Sequence, residues 1–188
     1  MADLSTLPEA GAGLPSVVRR RHVLLPIAVP TASRERLAAY LALVDRPLTS
    51  LLARERLSQE GPGRLTYHSN PHRLLHLEVV PTLALAARWD ADRLEVESTE
   101  CRLSGLGGWG GNVGFSLKAT LEPAEGAVAG RVEVGLHSRM VRLQGAQGLA
   151  RMALEHVLDR IERRLGRGFH RDVAAWLERG GDRTELGG

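Results

Sequence analysis

The alternation of apolar and polar positions predicts a strand and two helices in the first quarter of the chain. An apolar run from Arg20 to Val29, ended by a proline, predicts the first strand. A helix follows with Thr31 or Ser33 as its N-cap, because a hydroxyl there accepts a hydrogen bond from the first helical turn. The tripeptide Asp45-Arg46-Pro47 interrupts this helix, and leucines at 48, 51 and 52 predict a short second helix.

Between residues 54 and 144 the apolar period changes to two, which predicts a series of antiparallel strands. Turn residues separate the strands at three places: Gly61-Pro62-Gly63, Asp90-Ala91-Asp92 and Pro123 to Gly126. A strand from His72 to Val80 ends at Pro81 in this interpretation. The apolar parity changes between Val96 and Cys101, so we expect a bulge near Thr99.

The stretch GLGGWG, from Gly105 to Gly110, has the G-x-G-x-x-G spacing of dinucleotide-binding loops. Such a loop must open a helix whose N-terminus faces the phosphates. The residues that follow alternate instead from Phe115 onward, which predicts a strand. We therefore interpret the stretch as a loop between strands and expect no cofactor. Trp109 within it is a candidate lid over a cavity mouth, or a plug packed on the sheet.

The last segment predicts one long amphipathic helix from about Gln147 to Leu177. Its apolar positions fall on one face: Leu154, Leu158, Ile161, Leu165, Phe169 and Trp176. Gly166 and Gly168 interrupt the pattern, and each costs about 1 kcal/mol relative to alanine in a helix interior. We expect a kink there, or a close approach of the helix backbone to a neighbour.

The order of elements predicts an α+β fold, a curved antiparallel sheet wrapped around a long C-terminal helix. A sheet with one apolar face needs a cover, and an amphipathic helix supplies one. A strongly curved sheet leaves an apolar hollow under the helix, which is a candidate ligand site. We expect one domain at residues 19–179, with flexible tails at 1–18 and 180–188.

Four stretches carry a resemblance to a known group of proteins. They are YLALVDRPLTSLL from Tyr40, GRLTYHSN from Gly63, ESTECRLSGL from Glu97 and VLDRIERRLGRGFHRDVAAWL from Val157. The ordered set resembles a cyanobacterial and plastid domain family of unknown function, within or near the helix-grip (SRPBCC) superfamily of START lipid-transfer domains and aromatic polyketide cyclases. The resemblance covers about residues 20–178 and implies a helix-grip fold with an apolar cavity. It does not identify catalytic residues. Prolines expected near residues 137–147 are missing.

Composition and charge narrow the function classes. At 188 residues the chain is long enough for one domain with its own core. Cys101 is the only cysteine, which excludes an intramolecular disulfide and a cysteine metal cage. No apolar run approaches the roughly 20 residues that span a membrane, and the N-terminus lacks the pattern of a signal peptide. We therefore expect a cytoplasmic protein, with a peripheral membrane location as the alternative.

Candidate catalytic and metal-binding residues are few. His68, His72 and His76 would share a helix face, but Asn70-Pro71 disfavours helix there, so we interpret them as strand-surface histidines and assign no metal. Nothing in the spacing pairs Cys101 with a histidine, and a lone cysteine is more often a small buried apolar residue. We assign no catalytic residue.

The predicted cavity favours binding or transfer of a hydrophobic small molecule, such as a lipid, an isoprenoid or a pigment, without catalysis. Its candidate lining residues are Trp89, Phe115, Leu117, Val134, Leu158 and Ile161. The alternative is a cyclase-like or hydrolase-like enzyme for a bulky apolar substrate, with Glu97, Glu100 and His76 as its candidate polar groups.

Arginines form a second stripe on the C-terminal helix, roughly opposite its apolar face: Arg160, Arg163, Arg164, Arg167 and Arg171. A solvated face is the simpler interpretation. The alternative is a peripheral interaction protein that contacts an anionic membrane surface or an acidic protein through this stripe. Few aromatic residues accompany the basic ones, so we expect no nucleic-acid partner.

Overall fold

The computed structural model describes residues 16–52, 54–74, 77–105, 112–138 and 147–180. The strands are β1 (Ser16–Pro26), β2 (Leu57–Gly61), β3 (Arg64–His68), β4 (His72–Leu74), β5 (Leu77–Asp90), β6 (Arg93–Ser104), β7 (Val113–Ala124) and β8 (Ala127–Ser138). The helices are α1 (Arg34–Leu41), α2 (Asp45–Leu51), α3 (Gln147–Arg164) and α4 (His170–Glu178). A short 3₁₀ turn (Arg54–Arg56) precedes β2, and a π segment (Leu165–Phe169) joins α3 to α4.

The strands form one antiparallel sheet with the order β1-β8-β7-β6-β5-β3-β2, and β4 also pairs with β5. β1 lies at an edge because it pairs with the last strand, from Ser16 opposite His137 to Pro26 opposite Ala127. The sheet curves around the C-terminal helical segment, so the predicted fold class is confirmed. No helix in the described ranges has both the length and the apolarity needed to cross a bilayer.

Two strand boundaries differ from the sequence prediction. β1 begins four residues before Arg20 and ends three residues before Val29, because its pairing with β8 sets its length. β5 runs through Pro81 instead of starting after it. The carbonyl of Pro81 points to the β3 side, where it accepts a hydrogen bond from the amide of Ser69 beyond the last β3 residue. The N–H that Pro81 lacks would lie on this same side, past the last β3 residue, so the pairing of β5 with β6 continues through the proline.

The turns and the bulge follow the sequence prediction. Ala91 and Asp92 have φ of 46° and 60°, the left-handed conformation that a tight two-residue hairpin requires. In the β5–β6 pairing, the register shifts between Leu85 opposite Ser98 and Ala84 opposite Glu100. Thr99 is thus the extra residue of a β-bulge, and Cys101 lies on the concave face of the sheet, opposite Leu83.

The glycine-rich stretch is followed by a strand and not by a helix, as predicted. Gly105 directly follows β6 with φ of 89°, and a Cβ there would lie 1.8 Å from the carbonyl oxygen of Glu78. A side chain would therefore both strain the backbone and collide with β5. Residues 106–111 lie outside the described chain, and Trp109 is among them.

The main core closes one end of the concave face with α1, the π segment and α4. Tyr40 is fully buried and packs edge-to-face against Phe169 and Trp176, with ring centroids 5.7 and 5.5 Å apart. Its hydroxyl donates to Asp172 Oδ2 at 2.7 Å, and Arg46 Nε donates to the same oxygen at 3.0 Å. One carboxylate of α4 therefore binds both α1 and α2. Burial is the main reason that the pKa of Tyr40 is raised, so this hydroxyl stays a donor.

The predicted single helix is interrupted at its glycines. The π segment, with Gly166 and Gly168 inside it, replaces the regular α-helical turn. A Cβ on Gly168 would lie 2.6 Å from the carbonyl oxygen of Ser50 in α2, whereas a Cβ on Gly166 would meet nothing within 4 Å. The close approach expected at this site is thus confirmed for Gly168, which lets the helix backbone rest directly on α2.

We predict that Gly168→Ala destabilises the protein, because the added methyl group collides with a backbone carbonyl that cannot turn away. The expected loss in the free energy of unfolding is about 1–3 kcal/mol, the range for overpacked sites. Gly166→Ala is the matched control and should leave stability unchanged or raise it by up to about 1 kcal/mol. Urea unfolding of both variants measures the difference, and equal midpoints would contradict the contact.

A second prediction concerns the two tyrosines of the described chain. Tyr40→Phe removes a hydrogen bond to a carboxylate and should lower the free energy of unfolding by about 1.5–3 kcal/mol. The structure gives the hydroxyl of Tyr67 no hydrogen-bond partner among the described residues, so Tyr67→Phe should change it by less than about 0.5 kcal/mol. Thermal or urea unfolding checks both values, and a larger loss in Tyr67→Phe would contradict this assignment.

Candidate functional site

Helix α3 covers only one side of the concave face. It packs on β1 and β8, where Leu154 and Leu158 are buried against Val132 and Val134. These four residues form a cluster that we call the helix cluster. The side of the concave face formed by β3, β5 and β6 has no comparable contact with α3 in the described chain.

Ion pairs hold α3 on that side. Arg21 of β1 donates to Glu162 and Glu155 at 2.8 Å each and also to Asp159, all on one flank of α3. Arg19 of the same strand contacts Glu155 at 3.1 Å. The hydrogen bond from Arg21 is the main cause that lowers the pKa of Asp159. Arg21 keeps 27% of its side-chain surface exposed, so it shapes the position of the helix more than the stability of the protein.

A separate apolar cluster lies on this side of the concave face, and we call the region in front of it the hollow. Tyr67, Leu83 and Leu85 form its buried floor. Half-buried apolar residues pack around that floor: Leu52, Leu57, Cys101, Phe115 and Leu117. No residue of α3 belongs to this cluster. Leu117 also packs against the main core and the helix cluster, so the three clusters meet at its side chain.

Polar groups in the hollow are weak and few among the described side chains. Ser98 accepts a hydrogen bond from the amide of Leu117 at 2.9 Å, which leaves its hydroxyl free to donate. The phenol of Tyr67 has no described partner. Burial raises the pKa of the Cys101 thiol to about 11, so the thiol stays protonated near neutral pH. A protonated, half-buried thiol is a poor nucleophile.

The cavity residues predicted from the sequence fall in different clusters. Val134 and Leu158 are 0% and 2% exposed and belong to the helix cluster. Phe115, Leu117 and Ile161 are half-buried around that cluster, and only the first two also reach the hollow. Trp89 packs against the main core, at the end of β5. The proposed lid Trp109 lies outside the described residues.

Other wall residues were missed by sequence reasoning: Leu52, Leu57, Tyr67, Leu83, Leu85 and Cys101. One signal for them was available, because the bulge at Thr99 turns Cys101 toward the concave face. Leu52 and Leu57 flank the 3₁₀ turn between α2 and β2, and no period in the sequence places them against the sheet. Their position depends on where α2 rests.

Of the polar groups considered for catalysis, the two that the structure describes, Glu97 and Glu100, do not converge on the hollow. Glu97 and Glu100 are exposed, and Glu100 accepts from Arg102 at 2.7 Å on the same strand. His68 is exposed at the end of β3, and His76 lies outside the described residues. Within the described ranges, no group of three histidine, cysteine or acidic side chains could hold a metal ion.

The arginine stripe lines a depression of about 370 Å³ on α3 and the π segment. Its lining residues are His156, Arg160, Arg163, Arg164, Arg167 and Gly168. Arg163, Arg167 and Arg171 are exposed, whereas Arg160 and Arg164 are half-buried. Arg164 does not simply point outward, because its Nη1 donates to the carbonyl oxygen of Leu51 at 3.4 Å.

No family model and no curated protein matches the chain. The Zhui aromatase/cyclase from Streptomyces sp. R1128 has a TM-score of 0.53 at 12% identity, over 89% of this chain and 99% of that chain.

Two further solved structures match the chain at a lower score. Norcoclaurine synthase from Thalictrum flavum gives a TM-score of 0.44 at 16% identity, covering 85% of this chain and 95% of that chain. A START superfamily protein from Mycobacterium smegmatis gives 0.43 at 12% identity, covering 81% and 97%. Identities this low establish the fold alone. The structural likeness to the aromatase/cyclase thus supports the helix-grip fold for this chain.

Proposed function

We propose that the protein binds a hydrophobic small molecule in the hollow and does not transform it. The observation that carries this proposal is the incomplete burial of the apolar walls. Phe115 and Leu117 lie near the middle of the sheet, yet both keep exposed surface because α3 is held to the other side. An apolar molecule that covers these walls removes their surface from water.

The expected driving force is ordinary apolar burial. At about 25 cal/mol per Å², roughly 200 Å² of newly buried apolar surface contributes about 5 kcal/mol before the cost of association. The free hydroxyls of Tyr67 and Ser98 can orient one polar group of the ligand by hydrogen bonding.

The chemistry of the walls supports binding over catalysis. General acid–base catalysis needs a carboxylate, a histidine or a similarly tuned group within reach of the substrate. The concave-face positions in the described parts of β3, β5, β6 and β7 hold no carboxylate and no histidine, and the Cys101 thiol is protonated. The aromatase/cyclase therefore supports this proposal through its fold alone and not through its activity.

A neutral fluorescent probe tests the proposal directly. N-phenyl-1-naphthylamine should bind the parent protein with increased fluorescence, and Leu117→Gln should weaken its binding by about tenfold or more, because a polar group replaces the wall where three clusters meet. Leu24→Gln is the matched control, since Leu24 is 65% exposed on β1. Circular dichroism establishes that both variants fold. Equal affinities in the two variants, or no binding by the parent, would remove the proposal.

The single thiol gives an independent test that needs no substitution. With a pKa of about 11, Cys101 should react with iodoacetamide about tenfold faster for each unit of pH between 8 and 10, as its thiolate fraction rises. Saturating probe should slow this reaction, because the probe covers the hollow wall that contains the thiol. Mass spectrometry follows the alkylated fraction. If the probe does not change the alkylation rate, the probe binds outside the hollow.

A further inference from the structure

We propose that the ligand carries an anionic head group, and that Arg160 and Arg164 bind this head at the rim of the hollow. The inference rests on the proposed function, because it assigns the chemical class of the ligand to the same site. The ligand is then a single-chain amphiphile with a carboxylate or phosphate head and an apolar body.

The two flanks of α3 carry opposite charges, and ion pairs with β1 neutralise the acidic flank. Glu155, Asp159 and Glu162 lie on the flank that binds Arg19 and Arg21 of the edge strand. At about 100° per residue, Arg160 and Arg164 lie on the opposite flank. Since β1 is the edge of the sheet, that opposite flank faces the β5–β3 side, where the hollow lies.

Arg164 connects the arginine depression to the wall of the hollow. Its guanidinium donates to the carbonyl of Leu51, the last residue of α2. The next residue, Leu52, packs against the floor of the hollow. The guanidinium therefore sits at the rim, and Arg160 lies one helical turn away in the same depression.

The two half-buried cations of this depression, Arg160 and Arg164, have no ion-pair partner in the described chain. Neither Arg160 nor Arg164 forms an ion pair with a described carboxylate, and Arg163 donates to the backbone oxygen of Asp159. The nearest acidic side chains of α3 are engaged by Arg21 on the other flank. Planar guanidinium groups match the geometry of carboxylate and phosphate oxygens, so an anion at the rim would also relieve repulsion among the arginines.

Burial favours a single bound molecule over a bilayer surface as the source of the anion. Arg160 and Arg164 are half-buried, and Arg164 is turned toward the end of α2. A flat membrane surface would be met first by the exposed side chains of Arg163, Arg167 and Arg171. A ligand whose body occupies the hollow would bring its head to the half-buried pair.

Displacement of the neutral probe by three amphiphiles of equal length tests the inference. Dodecanoate and dodecyl phosphate should displace N-phenyl-1-naphthylamine at about tenfold lower concentration than dodecanol, the gain of a charge-assisted contact. The double variant Arg160→Gln, Arg164→Gln should lose this preference and keep its affinity for dodecanol. Raising the salt concentration should reduce the preference in the parent protein, because rim charges are partly screened.

The matched control removes the same charge from the convex face. Arg20 and Arg88 are exposed and pair with Glu133 and Glu95, so Arg20→Gln, Arg88→Gln lowers the net charge equally and should keep the preference. A parent protein that binds dodecanol as well as dodecanoate overturns the inference and leaves the proposed function intact. So does a preference that survives in the Arg160, Arg164 double variant.

Vesicles separate the two sources of an anionic head. The inference would be overturned by two results together. The protein would sediment with phosphatidylglycerol vesicles unless Arg163→Gln and Arg167→Gln are introduced, and it would show no preference among the three amphiphiles. The arginines would then be assigned to a membrane surface. If neither the probe nor any amphiphile binds, both the proposed function and the inference fail.

Discussion

The attachment of α3 to the edge strand is the constraint on which the rest of the site depends. Arg21 engages three carboxylates on one flank of the helix, and Arg19 adds a fourth contact. Because these arginines stand on β1, the helix lies over β1 and β8 and away from the middle of the sheet. The hollow is the part of the concave face that this placement leaves uncovered. The same placement turns the unneutralised flank of α3 toward the hollow.

The other end of the helical segment is fixed by contacts of a different kind. Gly168 lets the π segment touch the backbone of α2, and Asp172 binds side chains from both α1 and α2. These contacts set the position of α2, whose C-terminal end supplies Leu52 to the hollow and the Leu51 carbonyl to Arg164. The core that holds α2 therefore also sets the position of the adjacent rim of the site.

Much of the fold could be predicted from the sequence because local patterns encode it. The period-two strands, the turn at Asp90 to Asp92 and the bulge at Thr99 each depend on neighbouring residues alone. The continuation of β5 through Pro81 could not be predicted in this way, since it depends on where β3 ends. The hollow was harder still. Its walls depend on the side of the sheet on which α3 packs, and contacts between distant parts of the chain set that side. Trp89 lies against the main core instead.

The extra residue at Thr99 has a consequence for the redox chemistry of the chain. Strand β6 alternates between its two faces, so the bulge decides on which face everything after it lies. If the chain alternated regularly from Ser98 to Cys101, with no bulge, Cys101 would turn to the convex, solvent-facing side. There the only thiol would lose the burial that keeps it protonated, and peroxide or a second copy of the chain could oxidise it. The bulge at Thr99 thus shields the cysteine from oxidation.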